Sequence, residues 1–126
     1  MIFVDTNVFM YAVGKPHPLR EHAQRFFTDA LRDESRLCMS AEVVQELLHA
    51  YLAAGRTKTL DAALSLIART RTEVWPLEFE DVTLARQLHE QLPTLTARDL
   101  CHIACCRRRG VHEVKTFDQA LGGIRV

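Results

Sequence analysis

Short apolar runs alternate along this chain with longer segments in which apolar residues recur every three or four positions. The runs fall at residues 2–5, 37–39, 74–76 and 113–116. The longer segments have the spacing of one-faced amphipathic helices. Repeated strand–helix–strand units require parallel strands, with helices packed on both faces of the sheet. The sequence therefore predicts an α/β fold, a three-layer α/β/α sandwich with a mainly parallel central sheet.

Capping and turn residues predict where the helices begin and end. Ser40 and Thr96 are good N-caps, and Gly55 and Gly110 are placed to end the helices that follow. Helices are expected at residues 7–13, 19–31, 40–54, 60–67, 82–92 and 96–109. A last short edge strand is expected over residues 123–126. The sequence has no repeat or linker, so a single domain over residues 1–126 is expected.

The balance of charged residues bears on whether this protein binds nucleic acid. The 16 basic and 16 acidic residues cancel, so bulk charge does not favour nucleic-acid binding. We expect the run from Arg107 to Arg109 to be the solvated last turn of a helix, where positive charge suits the helix dipole. A local basic patch is the alternative interpretation.

The chain shows no signal peptide and no run of membrane-spanning length, so no membrane partner is expected. The four cysteines do not resemble a disulfide framework, which favours a cytoplasmic location. Cys101 and Cys105 are one helical turn apart and could form half of a zinc site. The preferred interpretation is that they are small buried apolar residues.

Four acidic residues recur at one structural position, after a strand or in the helix that follows it. They are Asp5, Glu46, Asp99 and Asp118. In an open parallel sheet, ligands bind in the crevice at the carboxyl ends of the strands. Carboxylates gathered there repel one another unless a hard divalent cation such as Mg²⁺ holds them. The pattern indicates a metal-dependent site that acts on phosphates.

Each of these carboxylates also has an ordinary structural interpretation. Asp5 and Asp118 could be helix N-caps, and Asp99 could complete a capping box. Glu46 could be solvated, but on a helical wheel it lies nearer the apolar stripe than Glu42. We therefore favour Glu46 over Glu42 as a site residue.

Four neighbouring polar residues are candidates for positioning the carboxylates or the substrate. Thr6 and Asn7 directly follow Asp5 and would orient it through hydrogen bonds. Thr116 is expected to point into the same crevice. His102 shares a helix side with Asp99 and could reach a phosphate or a water, although a lone histidine is more often structural.

Four segments carry a family resemblance, and they lie at residues 2–8, 40–47, 99–104 and 116–118. They read IFVDTNV, SAEVVQEL, DLCHIA and TFD. In order and spacing they resemble the PIN-domain family, and most closely the VapC-type toxin ribonucleases of type II toxin–antitoxin pairs. The chain departs from the family pattern at Leu121, where an aromatic residue is common.

The resemblance implies an endoribonuclease toxin that depends on Mg²⁺, with Mn²⁺ as an alternative. In such an enzyme Asp5 and Asp99 would hold the metal, and Glu46 and Asp118 would contact it directly or through water. The resemblance also implies an RNA substrate, a VapB-type antitoxin and a homodimer.

Two other functions remain open from the sequence. One is an α/β interaction module without catalytic activity. The other is a phosphatase with an aspartyl nucleophile, but its signature needs a second Asp where this chain has Asn7.

Overall fold

A four-stranded parallel sheet forms the centre of the computed structural model, which describes residues 1–124 and 126. The strands are β1 (Ile2–Val4), β2 (Leu37–Ser40), β3 (Glu73–Trp75) and β4 (Glu113–Lys115), in the spatial order β3-β2-β1-β4. In the central pairings, Phe3 lies opposite both Cys38 and Val114. The predicted parallel sheet is confirmed.

Seven helices within the described residues flank the sheet. They are α1 (Thr6–Val13), α2 (Arg20–Arg32), α3 (Ala41–Ala53), α4 (Thr57–Arg69), α5 (Phe79–Leu88), α6 (Ala97–Arg108) and α7 (Gln119–Gly122). From β1 through β3 the chain moves across the sheet in one direction, and from β3 to β4 it returns. Because parallel crossovers share one hand, α5 and α6 lie on the face opposite α1 to α4. One apolar cluster joins the sheet to α1–α4 and also includes Cys105 and Cys106 of α6, and a second joins α5 to α6 and α7; the predicted sandwich is confirmed.

Most predicted boundaries fall close to the observed ones, with two exceptions. The helix expected to reach residue 92 ends at Leu88. The edge strand expected over residues 123–126 is wrong, because Gly123 and Ile124 continue the turn of α7 through backbone bonds to Gln119 and Leu121. Arg125, within that expected strand, lies outside the described residues. No helix in the described part of the chain combines the length and apolar character needed to cross a membrane.

The four cysteines belong to the core, as expected. All are buried free thiols, and burial raises the pKa of Cys38 and Cys105 to about 12. They therefore act as small apolar side chains at neutral pH.

A buried carboxylate ties α5 to the end of α6. Asp81 is fully buried, and its Oδ1 accepts hydrogen bonds from Arg108 Nη1 at 2.7 Å and Arg109 Nη1 at 2.9 Å. The Arg109 guanidinium also lies 4.9 Å from the centre of the Trp75 ring. Arg108 is exposed in the last turn of α6, as expected, and Arg109 is half-buried, but both pair with Asp81 and so link α5 to the end of α6.

Replacing Asp81 with Asn should lower the free energy of unfolding by about 3 kcal/mol, because two arginines lose a buried partner. The two arginines hold the pKa of Asp81 well below its ordinary value, although burial opposes this. The stabilisation is therefore present above the ordinary aspartate pKa of 3.8 and is lost as the pH falls through the lower folded value. Urea unfolding at neutral and acid pH measures both effects. The control is Glu80→Gln, in the same helical turn but exposed, and equal losses in the two variants would contradict this account.

Candidate active site

Asp5 lies where β1 passes into α1, and two elements far apart in sequence hold its carboxylate. Its Oδ1 accepts a hydrogen bond from the Thr6 backbone N–H at 2.7 Å, and its Oδ2 accepts one from the Thr116 hydroxyl at 2.8 Å. The Asp5 backbone N–H donates to the carbonyl of Lys115 at 3.0 Å. Pairing of β1 with β4 thus fixes this carboxylate at the carboxyl edge of the sheet.

Thr116 is the centre of a short hydrogen-bond network at this edge. While its hydroxyl donates to Asp5, it accepts from the Asn7 side-chain amide at 3.3 Å and from the Asp118 backbone N–H at 3.0 Å. The Asn7 carbonyl oxygen in turn accepts from the Phe117 backbone N–H at 3.2 Å. The structure therefore brings Asn7 and Thr116 to Asp5.

His102 lies buried on α6, facing two of the predicted carboxylates. Its Nε2 is 3.3 Å from Glu46 Oε1 and 3.8 Å from Asp5 Oδ1, and the residue is only 2% exposed. The ring packs on Phe3 with 5.3 Å between centroids. A phosphate on the surface could not reach so buried a ring, so that expectation does not fit. The sequence pattern did not predict that this ring would have carboxylate partners.

The charges in this group set the pKa of each member differently. Burial disfavours the charged form of His102, but Glu46 and Asp5 outweigh it and raise the pKa of His102 above its ordinary value. Burial opposes ionisation of Glu46 too, yet His102 lowers the pKa of that carboxyl. The pKa of Asp5 is raised, because burial outweighs the hydrogen bond from Thr116. His102 and Glu46 therefore each favour the charged form of the other.

Glu42 also belongs to this region, which its wheel position did not predict. One of its carboxylate oxygens is buried, and burial raises the pKa of its carboxyl. Its charge interacts with those of His102, Glu46 and Asp99. Residues four apart share a helix face, and this is the sequence signal that could have placed Glu42 beside Glu46.

Asp99 and Asp118 lie in capping positions beside the group. The Asp99 backbone N–H donates to the Thr96 hydroxyl at 3.2 Å, in the first turn of α6. The Asp118 carboxylate accepts from the Ala120 backbone N–H at 2.9 Å and caps α7. Among residues 1–124 and 126, no three His, Cys, Asp or Glu side chains are grouped to hold one metal ion. The four predicted carboxylates therefore do not form a closed cage.

Two buried oxygens beside the group are suited to a cation. Thr6 Oγ1 and Glu42 Oε2 are buried with no hydrogen-bond partner among the described residues, whereas Glu46 Oε1 faces His102 Nε2 at 3.3 Å. The Thr6 hydroxyl lies near enough to lower the pKa of Glu46 but is not aligned for a hydrogen bond. Buried oxygens without partners are costly, and oxygen is the ligand atom that hard divalent cations prefer. The residues present fit such an ion.

Comparison with known proteins agrees with this fold. The sequence model of the PIN domain matches residues 2–125. The chain is 59% identical to "Ribonuclease VapC23" of Mycobacterium tuberculosis, over 96% of this chain and 95% of that protein. It is 40% identical to "Ribonuclease VapC13" of the same organism, over 94% and 91%.

Two solved structures share the fold at low sequence identity. The crystal structure of Mycobacterium tuberculosis VapC20, described as a sarcin-ricin loop cleaving toxin, superposes with a TM-score of 0.76 at 18% identity and covers 100% of both chains. VapBC2 from Rickettsia felis, bound to a DNA fragment from its promoter, gives 0.70 at 18% identity over 94% of this chain and 88% of that one.

The parallel sheet flanked by helices is that of a PIN domain, and the chain belongs to the PIN-domain family. Within that family its identities to the two mycobacterial proteins place it among the VapC-type toxin ribonucleases.

The charge arrangement around His102 can be tested in metal-free protein. Its pKa should lie above the ordinary histidine value of 6.5 and should fall in Glu46→Gln, because that variant removes the nearer carboxylate. The stability that the raised pKa of His102 contributes is then fully present below pH 6.5 and is lost as the pH rises through the folded value. Imidazole NMR signals report the titration, with His102→Asn identifying the signal among six histidines. A pKa at or below 6.5 would contradict the arrangement.

Proposed function

We propose that this protein is a divalent-metal-dependent endoribonuclease and the toxin of a toxin–antitoxin pair. The observation that carries the proposal is the buried Asp5 carboxylate, held by Thr116 beside the Glu46 and His102 pair at the carboxyl edge of the sheet. The 59% identity to a protein named as a ribonuclease supports the same activity. RNA is the proposed substrate.

We assign the metal to the carboxylates at this edge. Asp5 and Asp99 would hold Mg²⁺, or Mn²⁺ in its place, and Glu46 and Asp118 would contact it directly or through water. A bound ion of this kind neutralises phosphate charge and makes a water molecule more acidic. The buried oxygens Thr6 Oγ1 and Glu42 Oε2, which lack hydrogen-bond partners among the described residues, support this assignment.

The protein's own side chains prepare the site. Thr116 and the Thr6 backbone hold the Asp5 carboxylate in one orientation, so it needs little rearrangement when a cation arrives. His102 keeps Glu46 ionised, and so ready to contact a cation, while its burial excludes it from direct contact with RNA. Without a cation, the carboxylates would repel the phosphates of RNA.

Asn7 weighs against the alternative phosphatase. A second aspartate would be needed at this position, but the Asn7 amide is engaged by Thr116 and Phe117 and acts as a structural link. The four unpaired, buried thiols support a reducing compartment such as the cytoplasm.

We also propose that the protein forms a homodimer and binds a VapB-type antitoxin. Large apolar side chains remain exposed on α3 and α4, on β3 and around the start of α5. They are Leu48, Leu52, Leu64, Val74, Leu77, Phe79 and Val82, and Phe79 is 77% exposed. Exposed apolar groups of this size commonly mark protein interfaces. Among the structural neighbours, one from Klebsiella pneumoniae is described as a toxin–antitoxin complex.

Asp5→Asn and Asp99→Asn should each reduce Mg²⁺-dependent RNA cleavage more than about 100-fold. Even residues that only support metal ligands are worth 10- to 100-fold, so a direct ligand should contribute more. The fold should persist, because Asn keeps the size of the side chain and removes clustered negative charge. Cleavage of a labelled RNA measures the loss, and Asp61→Asn, in an exposed position on α4, is the control. Full activity in either site variant would contradict the proposed site.

Light scattering tests the homodimer. The purified protein should have twice the monomer mass at micromolar concentration. Phe79→Ser should shift it toward the monomer, because the variant has less exposed apolar surface to bury in a dimer interface. A monomer alone at these concentrations in the unaltered protein would contradict the proposal.

A further inference from the structure

A cluster of aromatic and basic side chains lies beside the candidate active site, on the β4 side. We call it the aromatic and basic surface, and it comprises Tyr11, His17, Phe26, Lys115 and Phe117. The Tyr11 ring is 5.6 Å from that of Phe117, nearly edge-on, and 4.5 Å from that of His17. Lys115 Nζ lies 5.0 Å from the centre of the Phe117 ring and 5.6 Å from that of Phe26. The rings and the cation therefore form one continuous group.

This surface begins at the same residues that hold the catalytic carboxylate. Phe117 directly follows Thr116, and its backbone N–H donates to Asn7 at 3.2 Å. Tyr11 lies one helical turn after Asn7 on α1, and residues four apart share a helix face. A polymeric ligand that passes over the Asp5 carboxylate would therefore contact Phe117 next.

A cavity of about 460 Å³ opens beside the rings, and its size is that of a ligand site. His22, Arg25, Phe26, Lys115 and Phe117 are among its lining residues. Its one acidic member, Asp29, is 3.3 Å from Arg32 in an ion pair, which offsets its charge. Arg25 is likewise paired, 3.7 Å from Glu21, so Lys115 is the main positive charge of this aromatic lining.

Rings beside cations, next to an acidic centre, match what single-stranded nucleic acid requires. Bases of any sequence can stack on exposed aromatic faces, and basic side chains follow the backbone phosphates. The acidic group around Asp5 cannot attract phosphates by itself, so a neighbouring positive charge has to supply that attraction. His17 Nδ1 accepts from the Leu19 backbone N–H at 3.0 Å, which fixes one ring in advance.

We propose that this surface binds the single-stranded RNA adjoining the cleaved bond, with a base stacked on Phe117 and a phosphate at Lys115. The inference rests on the proposed ribonuclease function and assigns the substrate contacts beyond the carboxylates. A protein partner would favour the exposed leucines of α3 and α4, which lack this mixture of rings and cations.

The binding experiment uses the Asp5→Asn protein, so that the RNA stays intact, and a short fluorescent single-stranded RNA. Added to that parent, Phe117→Leu should weaken binding about 5- to 150-fold, the range that base stacking on an aromatic side chain supports. Phe117→Trp should bind like the parent, and its fluorescence should be quenched by the stacked base. Phe117 also packs against the main core, so circular dichroism checks each variant's fold.

Lys115→Gln tests the charge while it leaves every ring of the surface in the protein. Removing one phosphate contact should reduce the slope of log K against log salt by about 0.7. The matched control is Lys58→Gln, an exposed lysine on α4, which should keep the parent slope. This variant also keeps the inference testable if Phe117→Leu does not fold.

Separate outcomes distinguish this inference from the proposed function. If the unaltered protein does not cleave RNA with Mg²⁺, the proposed function fails, and the inference fails with it. If it cleaves RNA but Lys115→Gln keeps the parent affinity and salt slope, only the inference is overturned. If a folded Phe117→Leu protein binds RNA as tightly as the parent, the rings do not stack with bases. That result is expected if the rings contact a protein partner instead.

Discussion

One hydrogen bond, from the Thr116 hydroxyl to the Asp5 carboxylate, joins residues 111 positions apart and determines where the site forms. It exists because β4 pairs in parallel with β1, so that both strands end at the same edge of the sheet. Thr116 then accepts bonds from Asn7 and from the Asp118 backbone, which brings the final acidic segment to the first one. The carboxyl edge of β1 and β4 is thus built as a single unit.

Repulsion between neighbouring carboxylates is the second constraint on this edge. Asp5, Glu42 and Glu46 lie near one another, and burial raises the pKa of the first two. His102 offsets part of the repulsion, since its charge is favoured by Glu46 and Asp5 despite burial. A divalent cation would supply more positive charge and occupy oxygens that have no hydrogen-bond partner. In the proposed function, Lys115 would supply positive charge for RNA beside the carboxylates.

The alternation of short apolar runs and amphipathic helices was enough to predict the parallel sandwich, because each pattern depends on local spacing. The position of Asp5 after a strand is equally local. Contacts between residues that are distant in the sequence could not be predicted from local spacing. Arg108 and Arg109 looked like a solvated turn, but Asp81, 27 and 28 residues away, makes them structural. His102 meets its carboxylate partners only where α6 packs against β1 and α3, which local spacing does not show. The last residues form α7 because Asp118 caps it.

Anomalous diffraction from a crystal soaked in Mn²⁺ at neutral pH tests most directly the claim that this edge is a metal site. The account predicts an anomalous peak in contact with the Asp5 carboxylate and near Asp99, and no such peak in Asp5→Asn crystals soaked in the same way. A peak only elsewhere on the protein, or an equal peak in the Asp5→Asn protein, would contradict it.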